Sequence, residues 1–288
     1  MEQPALGFIG IGVVGTALAT ALHNAGYAVV RVYSRRRDRA ARLASSIGST
    51  QAVDRPQDVV DRCELVFLTV ADGAIRPVCE SLTWNPGTAA VHCNGASSID
   101  LLAHAAAGGA RVGVFHPLQS FATPEQAAAN IPGSPFGIEA SDEDLLDVLR
   151  QIAADLGGTS FVVRGDKAIY HASAVMASNY LVTLLDLAAG LWEHLGFAKD
   201  EGLHALLPLV RGTVENLASI GLPDALTGPI ARGDVGTVER HLTVLRKVAP
   251  HLVPVYKELA RRTIPIAQAK GTLDRLSDRR LREQLEER

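Results

Sequence analysis

The sequence predicts an α/β fold: a doubly wound parallel sheet over residues 1–164, followed by an all-α C-terminal domain over residues 165–288. Three observations carry that prediction. Gly10, Gly12 and Gly15 stand in G-x-G-x-x-G spacing directly after the first apolar run. Apolar segments of strand length then alternate with helical segments as far as Val163. From Gly165 onward no strand-like alternation remains, and the rest reads as helices with stops at Gly196, "GLPD", "TGPIARGD" and "AKG".

The apolar run at residues 5–9 is the first strand, and the apolar helical stretch ending at Gly26 is the first helix. Between them the three glycines do different things. Gly10 makes the turn, Gly12 lets a pyrophosphate approach the backbone, and Gly15 lets the helix pack close to the strand. The helix start, Val13 and Val14, supplies amides and a positive dipole end for the phosphates. This is the fingerprint of a dinucleotide-binding Rossmann sheet, whereas an isolated glycine turn without a ligand would lack the strand that follows, "YAVVRVYS".

At the end of that second strand a dinucleotide fold often places an acid to hold the ribose hydroxyls. Here Ser34 is followed by Arg35, Arg36 and Arg37. A hydroxyl with guanidinium forks suits a 2′-phosphate, so the cofactor expected is NADP(H), held by Ser34, Arg35 and Arg36. Arg37 and Arg39 read as a solvated start to the next helix, about residues 38–47.

The alternation continues with a short strand near Gln51, "LVFLTV" at 65–70, a helix after Asp72, "TAAVHC" at 88–93, a helix after Ser97 and "RVGVF" at 111–115. A Pro- and Gly-bearing loop, "TPEQAAANIPGSP", precedes the strand "FGIEA", the helix "DEDLLDVLRQIAADLG" and the strand "SFVV". Ligands of open α/β sheets bind beyond the carboxyl ends of the strands. The residues there are Val70, Ala71 and Asp72, then Asn94 and Gly95, then His116 before Pro117. Val70, Ala71 and Asp72 are expected beside the cofactor. Asp72 also reads as a helix N-cap and Asn94 as a turn residue. His116 is held extended by the proline at the rim of the crevice.

The first helix of the second domain, "DKAIYHASAVMASNYLVTLLDLAAGLWEHLG", carries its polar groups near its start. At 100° per residue Lys167, His171 and Ser178 fall within about 40° of one another, with Asn179 at the edge of the stripe. Reduction of a ketone needs a proton donor or cation where negative charge develops on oxygen, a role open to Lys167 or His171. The alternative is a solvated Lys167 and a satisfied core histidine at 171. Thr227 and Arg232 could face a substrate carboxylate, Asp234 reads as an N-cap, and the charged segment from Leu273 to the end reads as a solvated surface helix.

A net charge of −3, with the arginines local, argues against a nucleic-acid partner. Cys63, Cys79 and Cys93 occur singly, which suggests neither disulfides nor zinc and fits a reducing cytoplasm. The nine histidines show no metal-ligand spacing, and no signal peptide opens the chain. The apolar helix around residues 172–195 is interrupted by Asn179, Asp186 and Glu193, so it reads as a buried or interface helix, with no membrane partner.

Taken together, "VFHPLQSF", "DKAIYHASAVMASNY" and "LTGPIARGDVGTVERHL" resemble a bacterial family of Rossmann-like proteins with a helical C-terminal domain long labelled as of unknown function. That family is related to pyrroline carboxylate reductases and deazaflavin-dependent NADP oxidoreductases, and the resemblance spans nearly the whole chain. It includes proteins regarded as alternative ketopantoate reductases of pantothenate biosynthesis, so it implies a cytoplasmic NADPH-dependent reductase of a small carboxylate-bearing ketone. Ketopantoate reductases and hydroxyacid dehydrogenases carry Lys-x-x-x-Asn on the equivalent helix, with lysine as proton donor. Lys167 matches that lysine, while His171 stands where asparagine is expected.

The expected substrate site therefore comprises Asn94, His116, Lys167, His171 and Asn179. Two other enzyme readings stay open, reduction of a cyclic imine and a prephenate-like dehydrogenase, since a His-Pro pair after a strand also occurs in the latter. A non-catalytic NADP(H)-binding sensor is the reading from another class, and it would bury Lys167 and His171 away from the nicotinamide. By analogy with similar architectures, the helical domain is expected to build a homodimer.

Overall fold

In the computed structural model, which describes residues 3–286 with the side chains of residues 124 and 125 excepted, eight strands form one sheet. They are β1 Leu6–Ile9, β2 Val29–Tyr33, β3 Gln51–Ala52, β4 Leu65–Leu68, β5 Ala89–His92, β6 Arg111–Pro117, β7 Pro135–Ala140 and β8 Thr159–Val162. Their order is β3-β2-β1-β4-β5-β6-β7-β8. The chain leaves β1 in one direction and returns to β1's other side at β4, so the carboxyl ends of these two strands frame the switch point where ligands of such sheets bind.

Alternation along the strands divides the core in two. Phe8, Phe67, Phe115 and Phe136 point to one face, where α1 Val13–Asn24, α2 Arg37–Ile47, α6 Pro124–Asn130 and α7 Glu143–Asp155 cover them. Ile9, Val66, Leu68 and Val112 point to the other, under α3 Gln57–Val60, α4 Ile75–Glu80 and α5 Ala103–Ala107. Each fully buried Phe or Leu contributes about 1.5–3 kcal/mol, and the runs "LGFI" and "LVFL" are buried at every position. That is why they read as continuous apolar strands.

Two features depart from the sequence expectation in this part. The sheet is not wholly parallel: β7 runs antiparallel to β6, with His116 opposite Gly137 and Val114 opposite Glu139, while β8 is parallel to β7. The physical reason is the connection. The presumed loop after β6 contains α6, which packs its Ala127, with Ile131 just beyond, into the same core as α1 rather than crossing over the sheet. Thr123 caps α6 through its hydroxyl, which accepts from the Gln126 amide at 3.3 Å. "TPEQ" has the spacing of an N-cap signature, outweighed in the sequence by its prolines and glycine.

The chain divides into compact units at Ser178, later than the expected boundary at residue 164. Helix α8, Lys167–Ala177, belongs with the sheet. The single long helix expected here is broken at Ser178, whose φ of −114° and ψ of −69° end α8, and α9 Asn179–Gly190 begins the second unit. Asn179 thus leaves the stripe on which periodicity places it. No glycine or proline marks the break, so periodicity alone reads through it.

In the second unit α9 packs against α10 Lys199–Ile220, while α11 Val235–Val248, α12 Val253–Lys270 and α13 Arg275–Glu286 share a core of Val238, Leu242, Ile264, Leu281 and Leu285. Asp234 caps α11 as expected, accepting from the Thr237 amide at 3.0 Å. The final charged helix is amphipathic, with Leu281 and Leu285 in the core.

The apolar helix, expected to be buried or to lie at an interface, is not buried within the chain. Residues 167–195 are long and apolar enough to cross a membrane by length and composition, but only 6% of the most apolar 18-residue window within them is buried within the chain. Val182 is 69% exposed and Tyr180 60%.

Candidate active site

The site grows from the carboxyl ends of β1, β2, β4 and β5. At Gly10 φ is +105°, and a Cβ there would lie 2.7 Å from the backbone of Thr69 and Val70. At Gly15 a Cβ would stand 2.3 Å from the Gly10 carbonyl and 2.6 Å from the Thr69 hydroxyl, which itself donates to the Gly10 carbonyl at 2.6 Å. These glycines hold α1 against the strand ends. Gly12 is different: nothing lies within 4 Å of where its Cβ would be, and no side chain caps α1. The first amides of α1, at Val13 and Val14, therefore stay open to a phosphate.

From this turn a groove of about 490 Å³ runs past Ser34, Arg35, Arg36 and Arg39 on one side and Thr69, Val70 and Ala71 on the other. The Ser34 hydroxyl accepts from the Arg36 amide at 3.2 Å, which leaves its proton free to donate. Charges around the groove divide into two kinds. Arg36 lies 3.5 Å from Asp38, Arg37 lies 3.4 Å from Asp54, and Arg42 lies 2.6 Å from Asp38. Arg35 and Arg39 make no ion pair among the described residues. The sequence reading set Arg39 aside as solvated, yet it lines the groove, because α2 begins at Arg37 and its first turn faces back toward the Gly12 turn.

A second hollow of about 230 Å³ shares Gly12, Thr69, Val70 and Ala71 with the first and continues past Val13, Val14 and Asp72 to Cys93 and Asn94. Asp72 opens a short 3-10 turn but caps nothing; its preceding residue, Ala71, holds the N-cap position without a side-chain bond. The N-cap expectation fails because the turn already begins at Asp72, which puts Ala71 in the capping position. Asn94 is a turn residue as expected: its side-chain oxygen accepts from the Ala96 amide at 2.7 Å, and its own amide donates to His92 Nδ1 at 3.1 Å. His92 Nε2 in turn lies 3.0 Å from the Ser98 carbonyl. Burial pushes the His92 imidazole down, so it is a neutral strut under the Asn94 turn rather than a proton carrier.

Beyond Asn94 stands His116, its ring against Gly95, where a Cβ would meet the imidazole at 2.7 Å. His116 Nδ1 is 2.7 Å from the Tyr170 hydroxyl. Burial, then the neighbouring His171, pushes the His116 imidazole down to about 4, and burial raises the Tyr170 phenol to about 12. The Tyr170 hydroxyl occupies the space a Cβ on Gly137 would fill, 2.8 Å away. The His171 ring lies 6.3 Å from that of His116.

Lys167 is brought to this helix face but not into the open. It is 6% exposed, its Nζ 2.7 Å from Glu139 Oε2. The pair is close enough for an ion pair without hydrogen-bond alignment, and both atoms are shut off from solvent.

The site thus unites His116, Lys167 and His171 with Asn94 nearby, while Asn179, Thr227 and Arg232 lie in the other unit. Sequence reasoning missed Tyr170, Glu139 and Cys93. Tyr170 was in reach, three residues after Lys167 and one before His171 on the same turn. Glu139 was not, because its approach depends on the reversed direction of β7. Among the described residues no group of three or more His, Cys, Asp or Glu side chains could hold a metal ion.

Comparison with known proteins agrees with this geometry. Residues 5–92 match the family model "NADP oxidoreductase coenzyme F420-dependent", and residues 134–263 match "Domain of unknown function (DUF2520)". BF3122 of Bacteroides fragilis, named as a presumed NADP oxidoreductase, is 26% identical, with a TM-score of 0.70 over 92% of this chain and 99% of its own. Protein TM1727 of Thermotoga maritima is also 26% identical, with a TM-score of 0.73 over 92% of this chain and 100% of its own. A 1-pyrroline-5-carboxylate reductase from Streptococcus pyogenes, 18% identical, shares the fold with a TM-score of 0.65 over 93% of this chain and 100% of its own. The curated proteins contain no match. The groove, with its open turn at Gly12 and with Arg35 and Arg39 outside any ion pair among the described residues, fits NADP(H), and the chain is an NADP-dependent oxidoreductase that resembles the coenzyme F420-dependent NADP oxidoreductases over residues 5–92 and the DUF2520 domain over residues 134–263.

Proposed function

We propose that this protein reduces a small carboxylate-bearing keto acid with NADPH, ketopantoate being the leading substrate. The observation that carries the reading is one continuous course in the first unit: from Arg35 and Arg39, across Gly12, to Asn94 and then to His116. NADPH, when bound, supplies a hydride to the carbonyl carbon. The Gly10–Gly12–Gly15 turn with Val13 and Val14 receives the pyrophosphate, Ser34 with Arg35 and Arg36 the 2′-phosphate, and Val70, Ala71 and Asp72 flank the path to the nicotinamide end. Arg39 joins the 2′-phosphate set because it faces the same groove with no ion pair among the described residues.

Negative charge develops on the carbonyl oxygen as hydride arrives, so hydrogen-bond donors must face it. His116 and His171 are those groups. Of the two proton donors the sequence offers, His171 fits better, since the Lys167 ammonium is enclosed against Glu139. Burial of Lys167 is also what a non-catalytic sensor would show, but His171 remains half-exposed. A second enzyme reading, reduction of a cyclic imine, is supported by the shared fold with pyrroline-5-carboxylate reductase.

The deciding assay follows NADPH oxidation with ketopantoate beside pyrroline-5-carboxylate, with NADH as control. Turnover of ketopantoate preferring NADPH is expected; turnover of the imine alone would replace the substrate, and cofactor binding without any turnover would favour the sensor.

The exposed apolar residues of α9 and α10, among them Val182, Leu209, Val214 and Leu217, belong in this reading to a homodimer. Asp186, paired with Lys199, would not be tolerated against lipid. Light scattering should give twice the mass of 30.5 kDa without detergent; a monomer that partitions into vesicles would reverse this assignment.

A further inference from the structure

The geometry points to Tyr170 as a positioning residue that fixes His116 in one tautomer, with the proton on Nε2, so that a neutral N–H faces the substrate oxygen. The inference rests on the reading of His116 as the group beside the substrate. Three observations build it. The Tyr170 hydroxyl and His116 Nδ1 are 2.7 Å apart with the rings at 90°, centroids 5.5 Å apart. Both partners are seated in glycine clefts: His116 fills the place of a Cβ on Gly95, and the Tyr170 hydroxyl that of a Cβ on Gly137. Phe161 packs on the outer side of Tyr170, centroid distance 5.8 Å, so the phenol has little freedom to turn away.

The direction of that hydrogen bond follows from acid–base chemistry. Both groups are neutral, the phenol pushed up to about 12 and the imidazole down to about 4; between neutral partners the phenol O–H is the stronger donor and the imidazole nitrogen the stronger acceptor, so across 2.7 Å the hydroxyl donates to Nδ1. A ring that accepts at Nδ1 carries its proton at Nε2, and among the described residues no side chain or carbonyl takes that proton. Nε2–H is then available to a substrate oxygen at no cost in reorganisation. Lys167 and Glu139 serve the same end one turn earlier, tying α8 to β7 so that Tyr170 reaches β6.

The test reads the tautomer without any substrate. Imidazole-optimised ¹⁵N–¹H spectra of the labelled protein with NADP⁺ bound, with His116 identified by loss of its signals in His116→Gln, should show Nε2 protonated and Nδ1 bare from about pH 5 to 8. In Tyr170→Phe the ring should become a mixture of tautomers. With a turned-over substrate, kcat should fall at least about tenfold in Tyr170→Phe while KM for NADPH stays unchanged. A proton on Nδ1 in the unaltered protein, or an unchanged spectrum in Tyr170→Phe, overturns the inference. If Tyr170→Phe fails to fold, the spectrum of the unaltered protein still decides, and a failed keto-acid assay leaves this result standing.

Discussion

Replacing Arg35 and Arg39 together by alanine is expected to weaken NADPH binding by about 10²-fold or more while NADH binding stays within about twofold. Each guanidinium that meets the 2′-phosphate makes a charge-assisted hydrogen bond worth about 1.5–3 kcal/mol, and about 1.4 kcal/mol is a tenfold change in Kd. Both side chains are exposed, which places the effect at the lower end of that range. Arg36, shared between the phosphate and Asp38, would compensate only in part, and Arg42 and Arg37 already engage Asp38 and Asp54. Isothermal titration of both cofactors against Arg35→Ala, Arg39→Ala and the double variant separates the contributions. An unchanged preference in the double variant would mean that the 2′-phosphate lies elsewhere. Raising the salt concentration should narrow the NADPH advantage in the unaltered protein and have little to narrow in the double variant.

What could be read in the sequence was whatever short-range spacing determines. The positions of Gly10, Gly12 and Gly15 fix a turn and a helix start within six residues, and Ser34 with Arg35 follows directly from where β2 ends. Arg39 was legible in principle: once α2 is placed at Arg37, its first turn must face the strand ends. The catalytic neighbourhood depends on longer-range facts. His116 and Tyr170 are 54 residues apart, and they meet because β7 reverses direction and α8 lies across it. Strand length and hydrophobicity reveal that residues 136–140 form a strand but not which way it runs. The break at Ser178 left no residue signature either, so a stripe from Lys167 to Asn179 looked continuous when it is not.

The role of Lys167 can be settled by stability and turnover together. Lys167→Met should leave the Glu139 carboxylate facing an apolar side chain and destabilise the protein by about 3 kcal/mol. Removing one partner of a buried pair costs about 3–5 kcal/mol, and a quarter of the Glu139 side chain is open to solvent, which places this pair at the lower end. Glu139→Gln should cost less, since the amide can still accept from the ammonium. The double variant Lys167→Met/Glu139→Leu removes both charges, so its loss should be well below the sum of the singles, and urea titration reads the difference as a coupling energy. Turnover then separates two roles that stability cannot. If Lys167 anchors α8 so that Tyr170 and His171 face His116, the double variant regains much of the activity lost in Lys167→Met, because an apolar pair can hold the same helix against the same strand. If Lys167 delivers the proton, no packing partner restores it, and the double variant stays as slow as the single. The enclosure of the ammonium against Glu139 favours the anchor, and a slow double variant of full stability would return the proton to Lys167.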